Sequence, residues 1–381
     1  MKSSDRVRRQ HWIVGVAVLL ASAVGVASVF SGATSPRRTA KRLATQMLQF
    51  EALRTDTLRS GQEGVIGELG WLAINRQHRY VAVDASDRAL KMYSAAGAPE
   101  APVGGPGPEP GRFIRLLDGG AFGDSLYGYD FSKTALEIFD RSGRFARTMT
   151  LRRNDESAIA GVRDVEDSLF LLTAFPAGSH NKNLLQLIRP NGTIRSSFFN
   201  RTAFYTPTNP ELIQATYIAA DANAGVVVAG IFGGDSLYVY DYDGIELASG
   251  QLTLADGTPL SLFRAAIARN GGKVRDSTGH RATKGIIALV GLVVVDATHA
   301  VLQLMDADGH GQTRLDLARG GTFVAVSWDR TSHQLIANGY HDFSAGLVGR
   351  DHGSALLFRY LGDRFDRVEV TRLALKPRFS Q

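Results

Sequence analysis

Cysteine is absent from the chain, so disulfides, thiolate nucleophiles and cysteine-ligated zinc or iron–sulfur centres are excluded. The absence suits either side of a membrane and does not fix a compartment. A charge excess is also missing from most of the chain. The formal net charge is +6, but Lys2, Arg6, Arg8, Arg9, Arg37, Arg38, Lys41 and Arg42 face only Asp5 within residues 1–42. That segment alone carries a surplus of seven, which leaves residues 43–381 at about −1. So neutral a body gains little from counterion release, and nucleic acid is excluded as a partner. Catalytic signatures are lacking too. There is no Gly-x-Ser-x-Gly nucleophile elbow and no Gly-Lys-Ser/Thr phosphate loop.

Long apolar runs are scarce. One, Ile13 to Phe30, is eighteen residues without a charge. As a helix it would extend about 27 Å, close to the hydrocarbon thickness of a bilayer. Arg6, Arg8 and Arg9 precede it and Trp12 sits at its edge, as a membrane helix with a cytoplasmic N-terminus requires. Two readings stand. The run exceeds the usual signal-peptide core, which favours an uncleaved signal anchor, while Ser31-Gly32-Ala33 offers small residues for cleavage. The first places the body outside the cell membrane on a single-pass anchor, the second makes it secreted or periplasmic. The other run, Ile286 to Val295, is too short to span and rich in β-branched residues, and it reads as a buried strand.

What the body does contain is a repeat. An apolar run ends in Asp, and thirteen residues later a turn ends in Gly: Asp84 and Gly97, Asp130 and Gly143, Asp296 and Gly309. Four residues before each Gly stands Tyr93, Phe139 or Met305. A recurring strand–turn–strand unit marks a repeat architecture. Turn signals also close at Pro190-Asn191-Gly192, Tyr242-Asp243-Gly244 and Leu361-Gly362-Asp363, giving six units 46 to 65 residues apart. That length suits four short strands per unit. The expected fold is all-β, a six-bladed β-propeller of four-stranded antiparallel blades behind one N-terminal transmembrane or signal helix. A four-stranded blade has two apolar faces, and standing blades in a circle buries each against its neighbours. The expected division is 1–33 signal anchor or signal peptide, 34–62 connector, with helical spacing at Leu43, Met47 and Phe50, and 63–381 propeller. Either residues 50–60 or the last strand, Arg367 to Leu375, is expected to complete a mixed blade and close the ring.

The stretch from Tyr80 through Asp84, Asp87, Arg88 and Tyr93 to Gly97 resembles an NHL-type propeller repeat, with Asp87 where that family usually has Asn. Gly104 to Phe113 resembles the Gly-Pro-Gly-rich link after the first blade of bacterial exported six-bladed β-propellers (NHL/TolB-like repeats), with Arg112 where they usually carry Glu. Gly123-Asp124-Ser125-Leu126-Tyr127 and Gly234-Asp235-Ser236-Leu237-Tyr238 are similar to that group's strand starts. The resemblance covers roughly residues 63–375 and implies a fold and an exported location.

Glu68, Asp118 and Asp164 lie near the expected starts of inner strands, where propeller channels place functional groups. Some propeller lactonases hold a divalent metal there, so the resemblance admits a channel metal, though no cofactor is specified by the residues. Asp306 to Gly311 begins like a calcium loop but has Leu317 where an EF-hand needs its closing carboxylate. His341-Asp342 and Asp351-His352 are expected in one loop of the last unit. Lys273, Arg275, Arg281 and Lys284 form a basic, exposed insertion. The expected activity is a binding or scaffold module for a protein or small-molecule ligand, held to the membrane through Ile13–Phe30. The alternatives are a lactonase-like, metal-dependent hydrolase with channel carboxylates and a subunit of an envelope complex.

Overall fold

The computed structural model describes residues 48–59, 66–151, 158–166, 169–175, 183–200, 218–231, 236–252, 287–306, 320–361 and 367–377. The expected anchor and its ends, Ile13 and Phe30, lie outside these residues, as do the basic insertion and the Gly309 and Gly362 turns. Among the described residues there is no helix, and thus none long and apolar enough to cross a membrane.

Strand β1 (Leu48–Arg59) is followed by antiparallel meanders of four. The first comprises β2 (Leu69–Ile74), β3 (Tyr80–Asp84), β4 (Ala89–Tyr93) and the two-residue β5 (Val103–Gly104). The second runs through β6 (Leu116–Phe122), β7 (Ser125–Asp130), β8 (Ala135–Phe139) and β9 (Phe145–Thr150). The third holds β10 (Ala158–Val165), β11 (Leu169–Phe175), β12 (Asn183–Ile188) and β13 (Ile194–Asn200). The fourth holds β14 (Ile218–Asn223), β15 (Val226–Ile231), β16 (Ser236–Asp241) and β17 (Glu246–Gln251). The fifth holds β18 (Ile287–Val294), β19 (His299–Asp306), β20 (Gly321–Asp329) and β21 (Gln334–Phe343). The chain ends with β22 (Gly346–Asp351), β23 (Ser354–Leu361) and β24 (Arg367–Pro377), and β1 pairs with β24 as the fourth strand of that sheet. Leu48–Arg59, expected inside a connector, is therefore a strand, and Phe50 is extended rather than helical. The apolar run read as a buried strand is β18.

The first strands of successive meanders contact one another in the order β2, β6, β10, β14, β18, β22, and β22 returns to β2. This arrangement is propeller-like. Its second strands β3, β7 and β15 are short and buried on both faces. In β3 and β4 every residue is buried, and alternate side chains of β3 point to opposite neighbours. Val81 and Val83 join a cluster with Phe113, in the connection ahead of the second meander, and with Leu126 within it, while Tyr80 and Ala82 pack with Leu356, Phe358 and Val370 of the last sheet. Such apolar layers, rather than any helix, fill the space between sheets. Val162 and Phe170 meet Tyr127 and Tyr129, Leu185 meets Val227 and Ala229, and Val228 and Val239 meet Val294 and Leu302.

The repeated Asp has a structural purpose in the first two meanders. Asp84, fully buried, accepts hydrogen bonds from the N–H groups of Gly67, Glu68 and Ser86. Asp130 does the same for Ile114, Arg115, Ser132 and Lys133. Each carboxylate thus fixes both its own hairpin and the chain entering the preceding first strand, satisfying N–H groups that would otherwise be buried unpaired. Asp296 is out of phase: it follows β18, a first strand, and serves the next turn through Thr298 and His299. The Gly residues that close the turns before β5, β9, β13 and β17 (Gly97, Gly143, Gly192 and Gly244) have φ between 77° and 86°. Gly97 is doubly constrained, because a Cβ there would run into the carbonyl oxygen of Thr57 in β1.

That contact belongs to a seam between the chain's two ends. Tyr80 donates its hydroxyl hydrogen to Asp56 of β1, and Arg372 of β24 donates to the same hydroxyl oxygen at 3.3 Å. Burial, reinforced by the Asp56 carboxylate and opposed by Arg372, pushes the Tyr80 phenol up to about 12 from 10.0. A raised folded value means that the group's contribution is complete below pH 10 and lost as pH rises through about 12. The stability difference between the wild type and Tyr80→Phe should therefore shrink steadily across that window in urea titrations. A constant difference would show that the phenol is not protected by this seam.

Candidate functional site

Polar residues of the first strands meet on the ring's inner side. The central one is Arg350, at the penultimate position of β22. Its Nη1 donates to both carboxylate oxygens of Asp221 in β14 (2.8 and 2.9 Å) and to the Ala222 carbonyl. Its Nη2 donates to the Asp164 carbonyl of β10 at 2.7 Å and lies 3.6 Å from Asp164 Oδ2. One planar guanidinium with several fixed donors thus joins three first strands, a task that suits Arg rather than Lys. Burial disfavours the Arg350 charge, yet Asp221 and Asp164 outweigh it and hold the group above its ordinary value. For Asp164 burial prevails, and its pKa is raised although Arg350 pulls the other way. Tyr127 donates to Asp164 Oδ1 at 3.2 Å, and burial also raises that phenol.

The same device recurs between neighbours. Asp118 of β6 accepts from Val162 N at 3.1 Å and forms an ion pair with Arg163 of β10. Arg163 in turn lies over the Trp71 ring of β2, 4.0 Å from its centroid. Asp221 accepts from Val294 N of β18, and Gln303 Oε1 accepts from Leu347 N of β22. A side chain of one meander therefore satisfies the backbone of a neighbouring first strand. Register shifts in β10, β18 and β22 accompany these bonds.

A cavity of about 310 Å³ opens at the exit ends of these strands. Its wall includes Trp71, Asn75, Asp164, Glu166, Asn223 and Arg350, and Asp351 and His352 continue it. From this wall a polar chain leads to the seam: Asp351 pairs with Arg372 at 3.2 Å, and Arg372 reaches Tyr80 and so Asp56 of β1.

The expected channel residues separate. Asp164 lines the cavity, and Asp118 lies buried one strand away, engaged by Arg163. Glu68 is exposed ahead of β2, at the opposite end of that strand from the cavity, and its N–H is held by Asp84. His341 and Asp342 do not share a loop with Asp351 and His352. The first pair lies within β21, where His341 packs 4.3 Å from the Phe343 ring and Asp342 accepts from Thr322, whereas Asp351 ends β22. Arg350 and Asp221 were missed. Asp221 is a lone charge inside an apolar first strand, whereas Arg350 adjoins Asp351, and the partners lie 129 residues apart. Among the described residues no group of three or more His, Asp or Glu side chains is placed to hold a metal ion.

No protein-family profile matches the chain, and no curated protein does. Solved structures do match in shape. A protein from Bacteroides fragilis described as exported aligns with a TM-score of 0.52 at 8% identity, over 87% of this chain and 96% of that one. A member of the DUF4221 family from Bacteroides vulgatus aligns with a TM-score of 0.55 at 9% identity, over 88% and 100%. Identities this low speak to fold alone.

Proposed function

We propose that the chain is a six-bladed β-propeller, held on the outer side of the cell membrane by the helix Ile13–Phe30, and that it works as a binding or scaffold module. The observation that carries the reading is the mutual engagement of the inner ionisable groups. Arg350 is occupied by Asp221 and Asp164, and Arg163 by Asp118. These groups tie first strands together, which leaves the cavity mouth and its turns for recognition. The blade count is supported by the return contact from β22 to β2 and by the β1–β24 pairing. An exported location is supported by the basic residues before Ile13 and by the likeness to a protein described as exported. A lactonase-like hydrolase would draw on Asp118 and Asp164, which are already spoken for by the two arginines.

The test is photo-crosslinking in native membranes from Arg76 and His352, both exposed at the mouth, with exposed Glu246 on β17 as the control. The same adduct is expected from both mouth positions and not from the control. Alkaline extraction should leave the chain in the membrane fraction. A bound divalent metal at unit stoichiometry together with lactone turnover would overturn the binding reading, and an N-terminus beginning after Ala33 would replace the anchor with a cleaved signal.

A further inference from the structure

We propose that the cavity at the mouth of the ring binds a small zwitterion with an apolar side chain, an amino acid or short peptide, its carboxylate at Asn75 and Arg76 and its ammonium group at Glu166. The inference rests on the binding-module reading and names the ligand class for its site. A cavity of about 310 Å³ is of ligand size. One side chain in its wall lacks a partner. Asn75 lines the cavity although it is only 5% exposed. Its Oδ1 accepts from Gln77 N and Arg79 N, both at 3.0 Å, which fixes the orientation of the amide. Nδ2 is left with two N–H donors and no acceptor among the described residues. A buried donor without an acceptor is costly, and a ligand oxygen would supply what it lacks.

The two sides of the cavity differ in chemistry. Parallel pairing sets Ala73 opposite Arg350, so Asn75 and Arg76 leave β2 beside Asp351 and His352 leaving β22. His352 carries a ring N–H in either tautomer, and this side is therefore rich in donors. The opposite arc, from β10, brings Asp164 and Glu166. Most of the wall's charges are already balanced. Arg350 is held by Asp164 and by Asp221 behind it, and Asp351 by Arg372. Arg76 and Glu166 remain, one on each side. Arg76 meets Asp124 at 4.0 Å with both side chains more than half exposed, a weak contact that does not exhaust a guanidinium. Glu166 accepts from the Tyr242 hydroxyl through Oε1 and has no cation paired with it among the described residues. A simple cation would leave Asn75 unmet, and a simple anion would face Glu166. A ligand anionic at one end and cationic at the other satisfies both. Trp71, Ala73, Ile74 and Ala121 supply the apolar part of the wall.

The experiment is calorimetric titration of the full chain in detergent micelles with L-leucine and with the dipeptide alanyl-leucine. N-acetyl-L-leucine, which lacks the ammonium group, and L-leucinamide, which lacks the carboxylate, are the controls. Leucine or the dipeptide should bind, and both controls should bind at least about tenfold more weakly, in line with the loss of one charged hydrogen bond. Preference for leucine would assign the site to a free amino acid, and preference for the dipeptide to a short peptide. Asn75→Asp keeps the acceptor for Gln77 N and Arg79 N but sets a carboxylate oxygen where the donors stood. Glu166→Gln keeps an acceptor for Tyr242 and removes the charge. Each should weaken binding about tenfold, and the second keeps the test valid if the first is poorly folded. Equal binding of either control, or unchanged binding in both variants, would overturn the proposal. Intact mouth crosslinks with no zwitterion binding would sink the ligand class alone, whereas loss of both would sink the binding-module reading as well.

Discussion

Deletion of residues 1–59 should destroy the cooperative fold, whereas deletion of residues 1–47 should leave it intact. The difference is β1. It pairs with β24 at eleven positions, from Leu48 opposite Pro377 to Arg59 opposite Arg367. It buries Leu58 and Leu48 and sets Phe50 edge-on against Phe343 at 5.7 Å. Fully burying such side chains is worth about 1.5–3 kcal/mol each, so losing the strand removes on the order of 5 kcal/mol before its hydrogen bonds are considered. That is comparable to the entire stability of many domains, about 5–15 kcal/mol. The deletion also leaves β24 as an unprotected sheet edge. In the intact chain β1 is blunted by exposed Arg54 and by a bulge between Ala52 and Arg54, features that discourage edge-to-edge pairing. The shorter chain should aggregate, be cleaved within residues 367–377 under limited proteolysis, and unfold without a single sharp transition. A synthetic peptide of residues 48–59 should restore part of the transition in trans. An unchanged denaturation midpoint after removal of residues 1–59 would show that the seam does not hold the ring.

The seam illustrates which features the sequence disclosed. Turn chemistry was legible because it is local: a Gly closing a short run of small or polar residues announces a hairpin whatever surrounds it, and the Gly97, Gly143, Gly192 and Gly244 turns, with φ near 80°, stand where expected. Phase was not legible. Asp84 and Asp130 end second strands, whereas Asp296 follows a first strand, because any tight turn favours a carboxylate that can accept its N–H groups. Ser125 and Ser236 likewise begin a second strand and a third strand of their meanders, despite sharing a motif. Ring closure was half legible. Both residues 50–60 and the terminal strand were candidates for the mixed sheet, and the two pair with each other. Of the inner residues, Asp118 and Asp164 stood out as acids near predicted strand starts. Arg350 and Asp221 did not, because an ion pair is a relation between distant segments and no local spacing encodes it.

That ion pair carries the other large effect. Arg350→Met should destabilise the protein by about 3–5 kcal/mol, the usual result of stripping one partner from a buried pair. Asp221, 1% exposed in its side chain, would keep, among the described residues, the Val294 N–H for its charge. Asp221→Leu should cost a similar amount, since Arg350 would be left with Asp164. The double variant should lose clearly less than the two single losses combined, with a coupling of about 0.5–3 kcal/mol in urea unfolding. Asp164→Asn should behave in the opposite way. Burial raises the Asp164 pKa from its ordinary 3.8, so the folded state disfavours its charge even with Arg350 beside it. For a carboxyl raised on folding, the stabilising contribution is complete below pH 3.8 and lost as pH climbs through the folded value. Asparagine retains an acceptor for the Tyr127 hydroxyl and carries no charge. The variant should therefore match or exceed the wild type at neutral pH, with its relative advantage growing as pH rises from about 4. If Asp164→Asn proves as damaging as Asp221→Leu at neutral pH, the two carboxylates share Arg350 equally, and the ring is pinned by a triad rather than by a dominant pair.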